Sequence, residues 1–283
     1  MDGRWMAAGL IALCACAGTR QEGSAQATAG APSAASAQER LAASSRHGEW
    51  VMVKTSATDS VRAWLVYPER RENAPVVVVI HEIFGLSNWI RSVADQLAAD
   101  GFIAIAPDLL TMKQLPNTAT GEPNPDSARA AIRTLDLQSY QRDINEVAKY
   151  AMNLPAASKK YGVVGYCWGG TAVFAHALMY PEVGAVVSYY GTTPDPATQI
   201  GARYANVTAP VLGLYGGNDQ RVNATIARAD SAMNANGKTF EHRIFEGAGH
   251  GFLRQQDGAE GANLKAAQEG WPMTVAWFRR HLR

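Results

Sequence analysis

Cysteine is scarce in this chain, with only three among 283 residues. Two of them, Cys14 and Cys16, fall in one short N-terminal run, so Cys167 has no partner for a disulfide in the rest of the chain. His176 is the only histidine near it in sequence, and a zinc site needs three or four ligands. We therefore expect no metal and no cofactor, and Cys167 needs another explanation.

An excess of charge of either sign is also missing, because 26 Lys and Arg residues stand against 25 Asp and Glu residues. A net charge of +1 creates no field that draws nucleic acid or an anionic membrane surface. No hydrophobic run reaches the roughly 20 residues needed to cross a bilayer. We expect a monomer with a small-molecule ligand, without a nucleic-acid partner and without a transmembrane span.

The N-terminal residues 1–17 have the composition of a signal peptide. One Arg precedes "MAAGLIALCACAG", an apolar run with the length of a signal-peptide core. The segment "LCAC" resembles a bacterial lipobox and predicts a lipid anchor at Cys16, whereas Ala15 and Ala17 fit ordinary cleavage after Ala17. Both alternatives predict export, to the periplasm or to a lipid-anchored position in the bacterial cell envelope. A start codon further downstream is the third alternative, and it would leave this segment without meaning.

Residues 18–46 are rich in Ala, Ser, Gly and Gln and contain one aliphatic residue larger than Ala. A segment of this composition buries too little apolar surface to offset the entropy of ordering, so it predicts a flexible linker. The folded domain is predicted to span residues 47–283.

Strand patterns alternate with helix patterns along this domain. The segments "EWVMVKT" and "VRAWLVYPE" predict an antiparallel hairpin, and continuous apolar runs such as "PVVVVIHE" then alternate with helical patterns such as "NWIRSVADQLAADG". This order predicts an α/β fold with a mostly parallel central sheet, helices on both faces, and a site beyond the carboxyl ends of the strands. Residues 111–136 are irregular and predict a lid or pocket wall, with a plain surface loop as the alternative.

The segment "GYCWGG" places Cys167 in the G-x-C-x-G pattern of a nucleophile elbow, with Cys in place of Ser. Gly165, Gly169 and Gly170 suit a tight turn from a strand into a helix. The N-terminus of that helix is expected to favour the thiolate. The alternative, a buried Cys that only packs, would not require glycines on both sides.

Asp219 and His250 follow Cys167 in the order acid then histidine, each just after a predicted strand. Taken singly, Asp219 could be a turn residue or a helix cap, and His250 a loop residue. Together the three predict a triad in which Asp219 holds the tautomer of His250, His250 moves the proton, and Cys167 attacks a carbonyl.

The segments "HEIFGL", "GYCWGG", "YGGND" and "GAGHGFLR" resemble those of the dienelactone hydrolase family, the carboxymethylenebutenolidase-like α/β-hydrolases. The resemblance extends from about His47 to Leu282. It implies an α/β-hydrolase fold with a Cys-His-Asp triad that opens lactone esters. It also implies that Glu82 contacts the resting thiol and helps to form the thiolate, and that the backbone N–H groups of Ile83 and Trp168 form the oxyanion hole.

The same resemblance implies residues that bind the substrate. Arg254 stands where the family has an arginine for the substrate carboxylate, and Arg129 or Arg133 could match a second one. Surface arginines without a role are the alternative. Phe84 and Tyr190 could line a pocket, although aromatic residues near strand ends are also common in cores.

The predicted function is hydrolysis of a lactone or small carboxylic ester, most simply an anionic one, through a thioester acyl-enzyme. A general carboxylesterase or thioesterase with the same triad is one alternative. An envelope thiol sensor or binding protein is the other, because exposed cysteines of low pKa oxidise readily. The presence of Glu82, Asp219 and His250 argues against the sensor, which has no need of an acyl-transfer arrangement.

Overall fold

One sheet of eight strands runs through the described residues, 1–2, 30–69 and 72–283, of the computed structural model. The strands are Gly48–Lys54 (β1), Ser60–Val66 (β2), Ala74–Ile80 (β3), Ile103–Pro107 (β4), Ala157–Tyr166 (β5), Ala185–Tyr189 (β6), Val211–Gly216 (β7) and Phe240–Phe245 (β8). Their spatial order is β1-β2-β4-β3-β5-β6-β7-β8. The pairs β1/β2 and β2/β4 are antiparallel and all other neighbours are parallel, which confirms the predicted hairpin and mostly parallel sheet.

Helices cover both faces of this sheet. The α-helices are Ala37–Ala43 (α1), Asn88–Ala99 (α2), Pro125–Ile132 (α3), Leu137–Met152 (α4), Trp168–Met179 (α5), Gln220–Ala235 (α6) and Ala262–His281 (α7). Short 3₁₀ turns span Thr111–Lys113, Gly201–Asn206 and Ala259–Gly261. Helices α4, α5 and α6 share one core cluster with the sheet, and α2 and α7 share the other. The predicted fold class is therefore confirmed.

The continuous apolar runs become the central strands because both of their faces are covered. In β3, every residue except Pro75 is buried, as expected of a parallel strand between two helical layers. Helix α2 begins where the Ser87 side chain accepts a hydrogen bond from the N–H of Ile90. It ends before Gly101, whose φ of +99° suits a residue without a Cβ. Helix α7 continues through Pro272.

Residues 30–46 differ from the expectation of a flexible linker over 18–46. They include α1, and Ala37 of that helix is 2% exposed. Arg46 forms an ion pair with Asp95 of α2 at 2.5 Å. The composition argument underestimated this segment because small side chains and hydrogen bonds to the domain, rather than large apolar residues, hold it in place.

The predicted signal peptide and the first part of the predicted linker fall mainly on residues 3–29, outside the described residues. Export, cleavage after Ala17 and lipidation of Cys16 therefore remain predictions. No helix in the described part of the chain is both long enough and apolar enough to span a membrane.

Candidate active site

Cys167 occupies the sharp turn between β5 and α5, with φ 56° and ψ −115°. A non-glycine residue at positive φ is strained by about 1–3 kcal/mol and persists only where its neighbours enforce it. Those neighbours leave no room for side chains. A Cβ at Gly165 would lie 2.1 Å from the Gly169 carbonyl oxygen, and a Cβ at Gly169 would lie 2.5 Å from that of Ile80. The glycines of the motif therefore permit the strained turn that presents the thiol.

Asp219 and His250 meet at the carboxyl ends of β7 and β8. The Oδ2 atom of Asp219 lies 2.5 Å from Nδ1 of His250. The other carboxylate oxygen accepts a hydrogen bond from the Val222 N–H and caps α6. Asp219 is buried, whereas the side chain of His250 is 35% exposed. A single carboxylate thus both starts a helix and fixes the orientation of the imidazole.

The thiol of Cys167 is held in its neutral form. Burial, and then the nearby charge of Glu82, raise the pKa of Cys167 to about 11. The N–H of Trp168 at the start of α5 acts in the opposite direction but is outweighed. The helix N-terminus thus acts towards the thiolate as expected, but desolvation and the like charge of Glu82 outweigh its contribution.

Glu82 lies just beyond β3 in contact with Arg254. Its Oε2 atom is 2.8 Å from Nε of Arg254, but the N–H is not directed at that oxygen, so the contact is an ion pair without an aligned hydrogen bond. Burial raises the pKa of Glu82 to about 7, although the charge of Arg254 acts to lower it. Glu82 therefore changes its protonation state near neutral pH.

Replacing Glu82 with glutamine is expected to change how stability depends on pH. The folded pKa is above the unfolded value, so the native state binds more protons between about pH 4.5 and pH 7 and the wild type loses stability as pH rises through this range. Glutamine cannot ionise. The variant should therefore gain roughly 3 kcal/mol of unfolding free energy relative to wild type between pH 4.5 and pH 8. Urea unfolding of both proteins at these two pH values measures the difference, and parallel curves would contradict it.

Tyr190 is placed differently from the predicted pocket wall. It is fully buried, with φ 40°, and its ring centroid lies 5.1 Å from that of His250. Its hydroxyl has no hydrogen bond of good geometry, and the charge of Glu82 acts on it. Tyr190 directly follows β6, and its buried ring therefore packs against His250 and does not line the cleft.

A cleft of about 520 Å³ opens next to this group. The ring of Phe84 lies between the guanidinium groups of Arg129 and Arg254, each 5.0 Å from its centroid. All three residues line the cleft, whereas Arg133 is exposed at the end of α3 and is not in the lining. Cys167 is not in the lining either. Arg254 connects the cleft to Glu82, because it contacts Glu82 as well as Phe84 in the lining.

A second cleft of about 520 Å³ lies along α7, between Asp100 and Arg279. Its lining residues contain no nucleophile and none of the predicted site residues. The cleft beside Arg254, by contrast, is lined by three of the predicted site residues, Phe84, Arg129 and Arg254, and is therefore the candidate substrate cleft.

Two residues to which the motifs gave no role support the site. His81 is buried, its Nε2 accepts a hydrogen bond from the Leu109 N–H, and its Nδ1 lies 2.7 Å from the Glu82 carbonyl oxygen. Burial lowers the pKa of His81, so this imidazole is neutral, and it stacks on Trp168. Asn263 accepts a hydrogen bond from the Gly249 N–H and thereby holds the loop that carries His250. The only sequence signal for His81 was its position directly after a buried strand.

Ile83 and Trp168, whose backbone N–H groups are the predicted oxyanion donors, lie in this same region. Ile83 is half-buried and packs on the small cluster of Leu110, Ala128 and Ile132, which also contacts Trp168. The structure thus brings the two residues to one end of the sheet. Among the described residues, no group of three or more His, Cys, Asp or Glu side chains is arranged to hold a metal ion.

A mostly parallel sheet with a thiol at a strained strand-to-helix turn, an acid after β7 and a histidine after β8 defines an α/β-hydrolase. The family model of the dienelactone hydrolases matches residues 61–282. The chain therefore belongs to the dienelactone hydrolase family, and it is a hydrolase that acts on carboxylic esters or lactones.

Sequence relatives agree with this assignment. A protein of Methylorubrum extorquens named "Putative carboxymethylenebutenolidase" is 32% identical over 237 residues, which are 81% of this chain and 80% of that protein. A protein of the same name from Salmonella typhimurium is 30% identical over 80% of this chain and 85% of its own length. A Bradyrhizobium protein named "Probable 2-oxo-3-(5-oxofuran-2-ylidene)propanoate lactonase" is 28% identical over 83% of this chain and 94% of its own.

Solved structures show the same fold. The crystal structure titled as a "Putative Dienelactone Hydrolase" from Klebsiella pneumoniae superposes with a TM-score of 0.72 and 25% identity, covering 84% of this chain and all of that one. A dienelactone hydrolase from Anabaena variabilis superposes with a TM-score of 0.63 and 24% identity, covering 85% of this chain and all of that one. At this identity the comparison supports the fold and nothing more specific.

Proposed function

We propose that this hydrolase cleaves an anionic lactone or small carboxylic ester through a thioester on Cys167, with His250 and Asp219 completing a Cys-His-Asp triad. The observation that carries the proposal is the 2.5 Å contact between Asp219 Oδ2 and His250 Nδ1. With Nδ1 engaged, the remaining ring nitrogen Nε2 is the one available for proton transfer. The Asp219 side chain that orients the imidazole is buried, whereas the imidazole of His250 is partly exposed and therefore accessible to a substrate.

Acylation follows from these roles. The sulfur of Cys167 attacks the ester carbonyl, and the electrons of the C=O bond move onto the oxygen. Backbone N–H groups of Ile83 and Trp168 stabilise that oxyanion, and one such donor is worth about 3 kcal/mol of the barrier. The tetrahedral intermediate collapses and the C–O bond breaks, and the proton released by the Cys167 thiol reaches the leaving oxygen through Nε2 of His250. A thioester to Cys167 remains.

Deacylation uses the same groups with water. His250 takes a proton from a water molecule, whose oxygen attacks the thioester carbonyl. The intermediate then expels the sulfur of Cys167, which recovers a proton through His250, and a carboxylic acid leaves. In a lactone, both the acid and the alcohol belong to one opened product molecule.

The neutral resting thiol requires activation, and Glu82 is the proposed agent. A substrate carboxylate that pairs with Arg254 would compete with Glu82 for the guanidinium. Without the nearby positive charge of the guanidinium, the pKa of Glu82 would rise further. Glu82 would accept the thiol proton of Cys167 and release it to His250 for the leaving oxygen. Formation of the nucleophile would therefore depend on an anionic substrate. The lactone named for the Bradyrhizobium relative also carries a carboxylate, which agrees with this proposal.

Replacing Arg254 with alanine tests the charge of the substrate. We expect kcat/KM for a carboxylate-bearing aryl ester to fall by about 100-fold, because a charge-assisted pair worth roughly 2–3 kcal/mol is lost. The fall for a neutral ester of the same size should be at least tenfold smaller. Steady-state kinetics with the matched pair of esters gives the ratio.

The matched control is Arg133→Ala, which removes an exposed arginine outside the cleft lining. It should leave the ratio of acidic to neutral turnover unchanged. Equal losses for both esters in Arg254→Ala would instead support a general carboxylesterase or thioesterase with the same triad.

A further inference from the structure

Residues 30–46, here called the N-terminal strap, precede the family-matched residues 61–282 and lie against the cleft beside Arg254. We propose that the strap is the wall of a distal substrate subsite and limits the length of the carboxylate-bearing ester that the enzyme accepts. This inference rests on the proposed function, because it concerns the binding of that same substrate class.

The strap is anchored to the domain at both of its ends. Near its start, the Trp89 indole N–H donates to the Pro32 carbonyl at 2.8 Å, and the Gln256 amide donates to the Ala31 carbonyl at 2.9 Å. Near its end, Arg46 and Ser44 both bond to the Asp95 carboxylate, which is almost fully buried. Because buried polar partners would be left unsatisfied if the strap moved away, it is fixed in place.

One hydrogen bond ties the strap directly to the proposed site. The N–H of Ala34 donates to the carbonyl oxygen of Arg254 at 2.9 Å. The side chain of that arginine contacts Glu82 and Phe84. The strap therefore holds the backbone of the residue proposed to bind the substrate carboxylate.

Three strap residues, Ala34, Ala37 and Gln38, line the cleft. Residues of the 111–136 segment, including Pro123, Pro125 and Arg129, line it as well. The volume of about 520 Å³ suits a small organic ligand. Without the strap, this end of the cleft would be open, so the strap sets where a bound molecule must stop.

The lining indicates the chemistry of the ligand. Arg129 and Arg254 supply positive charge beside the face of Phe84, and Trp89 and Pro123 add apolar surface. Glu122 is also in the lining, but its carboxylate accepts a hydrogen bond from the Asn88 N–H at 2.7 Å. These groups fit an acid whose short hydrocarbon body brings its carboxylate to Arg254, and the carboxylate end of a longer body would extend past Arg254 and meet Ala34 and Gln38.

The test uses full-length protein and a series of aryl half-esters of dicarboxylic acids, from succinate through adipate to suberate. In Gln38→Trp, a larger side chain enters the cleft, and we expect the ratio of kcat/KM for the suberate half-ester to that for the succinate half-ester to fall at least tenfold. The matched control is Glu39→Trp, an exposed neighbour on α1 outside the lining, which should change the ratio by less than twofold. An unchanged ratio in Gln38→Trp, or equal changes in both variants, would overturn the inference.

A second pair of variants, Ala34→Leu and Ala35→Leu, tests the same inference in case the tryptophan variants do not fold. Ala34→Leu adds bulk inside the lining, and Ala35→Leu adds the same bulk at an exposed position outside it. We expect only Ala34→Leu to lower the suberate-to-succinate ratio. Matching thermal unfolding curves for the two variants establish that the fold is intact.

Binding of dicarboxylates, which contain no ester to hydrolyse, distinguishes a failure of this inference from a failure of the proposed function. Calorimetric titration of wild type and the four variants with succinate and suberate measures the distal subsite directly. If wild type hydrolyses none of the half-esters, the proposed function fails, and a selective loss of suberate binding in Gln38→Trp still supports the wall. If neither dicarboxylate binds to the wild type, or if both bind equally to all variants, the wall is wrong.

Discussion

Cys167→Ala is expected to lower kcat/KM for activated aryl esters and small lactones by at least about 10⁴-fold. Without the sulfur no thioester can form, and the residual rate is limited to what the oxyanion donors and binding supply. The strained backbone of residue 167 accepts alanine as it accepts cysteine, since both have a Cβ at φ 56°. The variant should therefore fold.

Two controls accompany the kinetic measurement of Cys167→Ala: the thermal stability of the variant and mass spectrometry of the acyl-enzyme. The loss of one partly buried thiol should shift the thermal midpoint by only a few degrees. Mass spectrometry of the wild type with a slow ester substrate should show a thioester adduct on Cys167, and the alanine variant should show none. Turnover by Cys167→Ala at a substantial fraction of the wild-type rate would exclude the triad.

Asp219→Asn is expected to lower kcat by about 10³- to 10⁴-fold while leaving the fold intact. The Asn amide can present its NH₂ group to Nδ1 of His250, which favours the tautomer with the proton on the wrong nitrogen. Asn remains a good N-cap, so the hydrogen bond from the Val222 N–H at the start of α6 can persist. Asp219→Asn should therefore lose most of its activity while keeping most of its free energy of unfolding.

Two further variants make the separation quantitative. Asp136 caps α4 in the same way, accepting a hydrogen bond from the Ser139 N–H, but it lies outside the site, so Asp136→Asn should leave kcat unchanged. Asp219→Ala should lose both functions, with an added loss of about 1 kcal/mol from the missing cap. Steady-state kinetics and urea unfolding of the three variants measure both effects. A kcat for Asp219→Asn near the wild-type value would show that the 2.5 Å contact with His250 serves structure alone.

The prediction of the fold succeeded where the pattern is local. Residues 74–80 must be a doubly covered strand because almost every side chain is apolar, and the glycines around Cys167 suit only a tight turn. The order of Cys167, Asp219 and His250 needs only the rule that the ends of neighbouring parallel strands meet. These inferences depend on residues close in sequence, or on a topology that the alternation of elements dictates.

The state of the site was not predictable in the same way. The helix N-terminus favours a thiolate as predicted, but burial and Glu82 outweigh it, and both of these effects come from residues distant in sequence. The choice between Arg129 and Arg133 depends on which face of α3 meets Phe84. Tyr190 proved to be buried against His250 and absent from the lining of the cleft.

The N-terminal strap also combines a property that is readable from its sequence with one that depends on the folded domain. Its composition, rich in small and polar residues, correctly indicates that it has little core of its own. Its order comes from Asp95, Trp89 and Gln256, which supply partners from the folded domain. The sequence by itself therefore determined the sheet and the strand-to-helix turn at Cys167, and it predicted the reacting groups, since local patterns encode them. Only the tertiary structure decided the direction of the thiol pKa shift, which of the two arginines lines the cleft, and the contact of residues 30–46 with that cleft, because burial and distance between remote residues exist only after folding.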